Sequence, residues 1–214
     1  MEIKLNIPTT LNEITLGQYQ EFSKLDVTNE SELQSKMVQI FCEVPSIVVR
    51  NMKATDIVDV CDILNNMFDT KHQLINSFKI GKQEYSFIPS LEDMSFGEYV
   101  DLDTFIGDNE NLHRAMNVLY RPIDLRQGSR YKIKDYDPDL SEDAKDYPLD
   151  AVLGAMVFFY DLGRDLSIVM LNFSNQANEE NLVHYLTSLP NGDGTIQSMD
   201  SLMEILQGLK ISLN

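Results

Sequence analysis

Two segments of this chain carry one pattern. "IPTTLNEITLGQYQEF" near the start and "FIPSLEDMSFGEYVDL" further on share Ile-Pro, a Leu, an acid, a Thr or Ser, then Gly and Tyr, in the same order. Such a doubling is either an active-site signature used twice or a structural joint copied with the unit around it. The residue types favour the joint. Thr15 with Gln18, and Ser95 with Glu98, stand at the spacing of a capping box. In that motif the N-cap hydroxyl takes the amide three residues on, and the side chain there returns to the N-cap amide. Ile14 with Tyr19, and Met94 with Tyr99, occupy the flanking hydrophobic-staple positions. Each segment therefore predicts a helix start.

The likeness runs on. Leu33, Met37, Ile40 and Phe41 match Leu112, Met116, Leu119 and Tyr120 at helical spacing, and each copy then reaches a proline, Pro45 or Pro122, where a helix should stop. The offset shortens from 81 (Pro8 to Pro89) to 79 (Leu33 to Leu112), as expected when small loop changes follow a duplication. The repeat covers approximately 3–45 and 83–122: a strand, a capped helix and a second helix. In the first copy "EIKLNI" alternates Ile3, Leu5 and Ile7 and predicts a strand closed by Pro8; ahead of the second, "HQLINSFKIGKQEYSFIPS" predicts a hairpin turning at Gly81-Lys82 and closed by Pro89. A pseudo-symmetric pairing of the copies is a reasonable expectation.

Between the copies, "SIVVRNMKATDIVDVCDILNNMF" predicts one or two helices, the later capped by Thr55 with Ile57, Val60, Cys61, Leu64 and Phe68 on its core face. After the second copy come a polar loop and a strand-like "RYKIKDYD". A long apolar helical region follows, capped by Ser141, with Pro148 in a first helical turn and a kink or break at Gly163. Two short amphipathic helices around Asn191-Gly192-Asp193-Gly194 complete a C-terminal helical part at approximately 141–214, with Leu182, Leu186, Leu202, Ile205, Leu206 and Leu209 on apolar faces. The expected fold is mainly α with a small β component, an α+β unit spanning 1–214 without a low-complexity linker.

Composition narrows the function. The net charge is -17 and the Lys and Arg residues form no cluster, so nothing offers a surface for nucleic-acid phosphates or anionic lipid. Cys42 and Cys61 fall on apolar helix faces and read as buried thiols of a reducing compartment. "MEIKLNIPTT" lacks the order of a signal peptide, and the apolar run "AVLGAMVFFY" is too short to cross a bilayer, so a soluble, cytoplasmic chain is expected.

Catalytic motifs are missing from the pattern. His72, His113 and His184 stand apart from any metal-ligand spacing, His113 reading as surface or half-buried packing. Asp135, Asp137 and Asp139 alternate as in a calcium loop, but Leu140 replaces its glycine and Asp146 its bidentate glutamate. There is no GxSxG, P-loop or dinucleotide fingerprint. Phe158, Phe159 and Tyr160 read as core. The sequence thus nominates no catalytic, cofactor-binding or metal residue and points away from an enzyme. Tyr120 and Arg121, in "LYRPI", are its candidates for contact with a protein partner, since both types are enriched as interface anchors.

"IPTTLNEITLGQYQEF", "FGEYVDLDTFIGDNENLHRAMNVLYRPI", "RYKIKDYD" and "YPLDAVLGAMVFFYDLGRDL" together resemble a group of tailed-bacteriophage morphogenesis proteins, tail-assembly-chaperone-like proteins of phages infecting Bacteroidetes and marine bacteria. The resemblance spans about residues 3–166 and rests on capping and packing motifs. It implies a non-enzymatic role in virion assembly through protein–protein binding, with phage tail or connector proteins as partners, and residence in the host cytoplasm during assembly. The alternative is a structural virion subunit of the connector or tail, a ring-forming homo-oligomer. A third reading is an acidic host-defence inhibitor that imitates nucleic acid.

Overall fold

The computed structural model describes residues 5–128 and 130–176, with side chains to residue 164. It is an α+β fold, mainly helical, with a four-stranded antiparallel sheet among the described residues. Helices α1 (Leu16–Ser23), α2 (Glu30–Phe41), α3 (Ser46–Arg50) and α4 (Ala54–Phe68) precede strands β1 (Ser77–Ile80) and β2 (Gln83–Phe87). Then come α5 (Phe96–Phe105), α6 (Leu112–Leu119), β3 (Tyr120–Gln127), β4 (Arg130–Ile133), a 3-10 segment (Pro138–Asp146) and α7 (Leu149–Gln176). The C-terminal amphipathic helices expected after residue 176 lie outside the described residues.

The first hairpin turns where the sequence places it: Ile80 pairs with Gln83, and Gly81 at φ 58° supplies the positive dihedral that tight connections favour. The strand expected at Ile3–Ile7 is not formed over the part described. Leu5 and Ile7 are half-buried against the core, but no neighbouring strand pairs with them. Alternating apolar residues require one covered face, which loop packing also provides.

β3 goes unnoticed in the sequence because Pro122 lies within it. The proline does stop α6, but the chain runs directly into a strand between β2 and β4. The carbonyl of Pro122 accepts the Lys134 amide at 2.9 Å, so its ring nitrogen faces the β4 side. Lys134 lies just past the end of β4, so the missing N–H leaves the ladder there almost intact.

Two helix caps differ from expectation. Lys53, not Thr55, precedes α4, and Thr55 sits in the first turn with its hydroxyl on Asp56. Asp137, not Ser141, caps the 3-10 segment, accepting the Asp139 amide. Val60, Cys61, Leu64 and Phe68 do line the buried face of α4. Pro148 stands just before α7, in an isolated bridge with Thr15. α7 continues through Gly163 without a break.

α6 and the first turns of α7 form the centre of the core: Leu112, Ala115, Met116, Val118, Leu119, Leu149, Val152, Leu153 and Met156 are fully buried. Gly154 lets another segment cross α7, since a Cβ there would overlap the Gln73 carbonyl. Between sheet and helix lies an aromatic layer in which Phe78 packs on Tyr85, Tyr120 and Tyr147, and Phe87 on Tyr120, Phe158 and Phe159.

Candidate functional site

Both capping boxes are formed. In the first, the Thr15 amide donates to Gln18 Oε1 at 2.8 Å and the Gln18 amide to Thr15 Oγ1 at 3.2 Å. In the second, the Ser95 amide donates to Glu98 Oε2 at 2.6 Å and the Glu98 amide to Ser95 Oγ at 3.3 Å. The side chains at the third helical position reach further in parallel fashion. Gln18 Nε2 donates to the Ile40 carbonyl at 3.1 Å near the end of α2, while Glu98 Oε1 accepts from Arg121 Nη1 at 2.7 Å just past the end of α6. In each copy the box therefore starts one helix and ties it to the end of the next. Burial pushes the Glu98 carboxyl up, but the Ser95 amide and hydroxyl and the Arg121 guanidinium outweigh it and leave it below the usual range.

Tyr120 and Arg121 are not surface anchors in this fold. Tyr120 has 0% exposure; its hydroxyl donates to the Ile75 carbonyl at 2.8 Å and the Ala151 carbonyl at 3.3 Å, and its own carbonyl accepts the Tyr147 hydroxyl at 3.0 Å. Burial raises both phenols well above their ordinary pKa. Arg121 is nearly withdrawn from water against Glu98. Both residues hold β3 in place, because the strand that continues α6 carries them inward.

The copies meet, but without reciprocity. Gln20 Nε2 of α1 donates to the carbonyls of Asn109 at 2.8 Å and Glu110 at 3.0 Å in the α5–α6 connection, and approaches His113 Nδ1 at 3.2 Å. The counterpart of Gln20 in the second copy is Val100, which is exposed. His113 is buried rather than on the surface or half-buried, with its Nε2 3.4 Å from Glu142 Oε1. Burial and the Lys145 ammonium lower its pKa, against the pull of Glu142. The signal for this role lay in Gln20, a polar residue on the apolar side of α1.

Other chemistry is sparse. A cleft of about 390 Å³ is lined by Thr9, Thr10, Lys71, His72 and Asp150 among others. Among the described residues, His72 Nε2 is buried there without a partner, and no hydroxyl or thiol is hydrogen-bonded to it as a nucleophile would be. No group of three His, Cys, Asp or Glu residues among those described could hold a metal ion. Cys42 and Cys61 are free and buried, and burial pushes the Cys42 thiol up to about 11. No described helix is long and apolar enough to cross a membrane.

One face of α5 stands open, its Phe96 the most exposed of the large apolar residues described. Phe96 is 77% exposed, and Tyr99 and Val100, one turn on, are exposed beside it. Their first-copy counterparts Leu16, Tyr19 and Gln20 are buried. No protein-family model, curated protein or solved structure matches the chain.

Proposed function

We propose that the protein is a non-enzymatic phage assembly factor that acts by protein–protein binding, in the manner of a tail-assembly chaperone. The observation that carries this reading is the α5 face: a large aromatic residue at 77% exposure beside two further exposed apolar residues. Leaving such a group in water forgoes roughly 1.5–3 kcal/mol of burial free energy per large side chain, which a partner can recover. The resemblance over residues 3–166 supplies the phage context, and the acidic surface suits protein partners rather than nucleic acid or lipid.

The partners on this reading are tail or connector proteins, met in the host cytoplasm during assembly. Affinity capture of the tagged full chain from infected cells should recover a tail component, while mass spectrometry of purified virions should find the chain absent or far below one copy per structural ring. Stoichiometric presence in the virion would replace the chaperone reading with that of a connector or tail subunit. Failure to capture any virion protein would sink both.

A further inference from the structure

The duplicated joint has an occupant in one copy and, among the described residues, none in the other. In the first copy an extended segment lies across the helix start: the Leu16 amide donates to the Tyr147 carbonyl at 2.9 Å, and the Leu149 amide donates to the Ile14 carbonyl at 2.8 Å. Thr15 and Pro148 thus face each other in an antiparallel bridge. The bridge takes its bonds from Tyr147 and Leu149, so the N–H that proline lacks is not needed. Gly17 completes the fit, since a Cβ there would stand 3.2 Å from the Lys145 carbonyl oxygen.

The second copy keeps the receptor and, among the described residues, lacks the guest. Phe96 and Met94 stand where Leu16 and Ile14 do, and among the described residues no other segment takes the Phe96 amide or the Met94 carbonyl. Gly97 stands where Gly17 does, with nothing within 4 Å of a Cβ placed on it. An exposed helical glycine costs roughly 0.5–1 kcal/mol against alanine, and no contact within the described fold requires this one.

We propose that the start of α5 is a docking site for an extended aromatic–Pro–aliphatic segment of a protein partner, bound across Ser95 by two main-chain hydrogen bonds as Tyr147-Pro148-Leu149 is bound across Thr15. A helix cannot substitute, because its interior amides and carbonyls are already paired with each other. The extended guest instead supplies one carbonyl to the Phe96 amide and one amide to the Met94 carbonyl. Its aromatic and aliphatic side chains cover Phe96 and Tyr99, as in other cases of main-chain recognition of extended peptides. This assignment rests on the reading of the protein as a protein-binding assembly factor, and names what that partner presents.

The test titrates the full chain with the peptide Ala-Lys-Asp-Tyr-Pro-Leu-Asp, copied from residues 144–150, and with a control peptide carrying Gly-Gly-Gly in place of Tyr-Pro-Leu. Saturable binding with NMR shifts at Phe96, Gly97 and Tyr99 is expected, with at least tenfold weaker binding of the control. Gly97→Leu should also weaken binding at least tenfold while leaving the urea midpoint unchanged or higher, because the added side chain meets only the guest. No binding at millimolar peptide, or equal binding by Gly97→Leu, would overturn the assignment. So would photo-crosslinking from p-benzoylphenylalanine at position 96 that goes to residues 177–214 of the same chain or to a second copy. Capture of tail components undisturbed by Gly97→Leu would reject this site while leaving the assembly role standing. Peptide binding at the site without such capture would do the reverse.

Discussion

The Glu98 carboxylate lies 2.7 Å from the Arg121 guanidinium, with side-chain exposures of 9% and 13%, and fastens the first turn of α5 to the strand that follows α6. Gln18 performs the same fastening in the first copy without a charge, through the Ile40 carbonyl. Arg121→Met leaves the carboxylate withdrawn from water without its cation, and should cost about 3 kcal/mol in urea unfolding. The double variant Glu98→Gln/Arg121→Met keeps a box-competent side chain and removes both charges, so it should recover most of that loss. The Glu98 carboxyl has its folded pKa below the ordinary 4.5. The unfolded chain therefore binds the proton first on acidification: the contribution is complete above about 4.5 and is lost as pH falls through the folded value.

The glycines separate by what stands over them. Gly97→Ala should raise stability by roughly 0.5–1 kcal/mol, the ordinary helical gain. Gly17→Ala should forfeit that gain, because its Cβ meets the Lys145 carbonyl at 3.2 Å. Gly154→Ala drives a methyl into the Gln73 main chain, and overpacking of this kind should cost about 3 kcal/mol or prevent folding. Urea midpoints of the three variants give the order directly.

His113 makes the joint between the copies sensitive to acid. Its folded pKa lies below the ordinary 6.5, because burial and Lys145 oppose the charge more than Glu142 favours it. Between the two values the unfolded state binds more protons. The stabilisation is thus complete above 6.5 and is lost as pH falls through the folded value. Urea unfolding should show a lower midpoint at pH 5.5 than at pH 7.5, and His113→Asn should reduce that difference, leaving the part contributed by His72, whose pKa burial also lowers.

Tyr120→Phe removes a hydroxyl bonded to the carbonyls of Ile75 and Ala151, and should destabilise by about 1–2 kcal/mol while leaving binding of any partner unchanged. A loss of partner binding without loss of stability would restore this residue to the surface role that its sequence context suggested.

The two boxed helix starts were legible because they are written within a few residues, whereas the single-residue caps expected at Thr55 and Ser141 were not the ones used. A Thr or Ser, a Gln or Glu three positions on, and the amides of those two residues satisfy one another whatever the rest of the chain does, and both boxes stand where the pattern puts them. The turn at Gly81 and the apolar face of α4 are equally local. β3 was not legible, because whether a proline is tolerated in a strand depends on which neighbour faces its nitrogen. Nor was the burial of Tyr120 and Arg121, which follows from where that strand lies.

The sequence alone determined that one joint occurs twice, since the hydrogen bonds that make it are short-range. Only the tertiary structure decided that the two joints have opposite surroundings: Leu16 is sealed at 0% exposure while Phe96 stands at 77%. The physical reason is that covering a helix start takes a guest from far along the chain. The fold brings Tyr147, Pro148 and Leu149 to Thr15, and among the described residues it brings no such segment to Ser95.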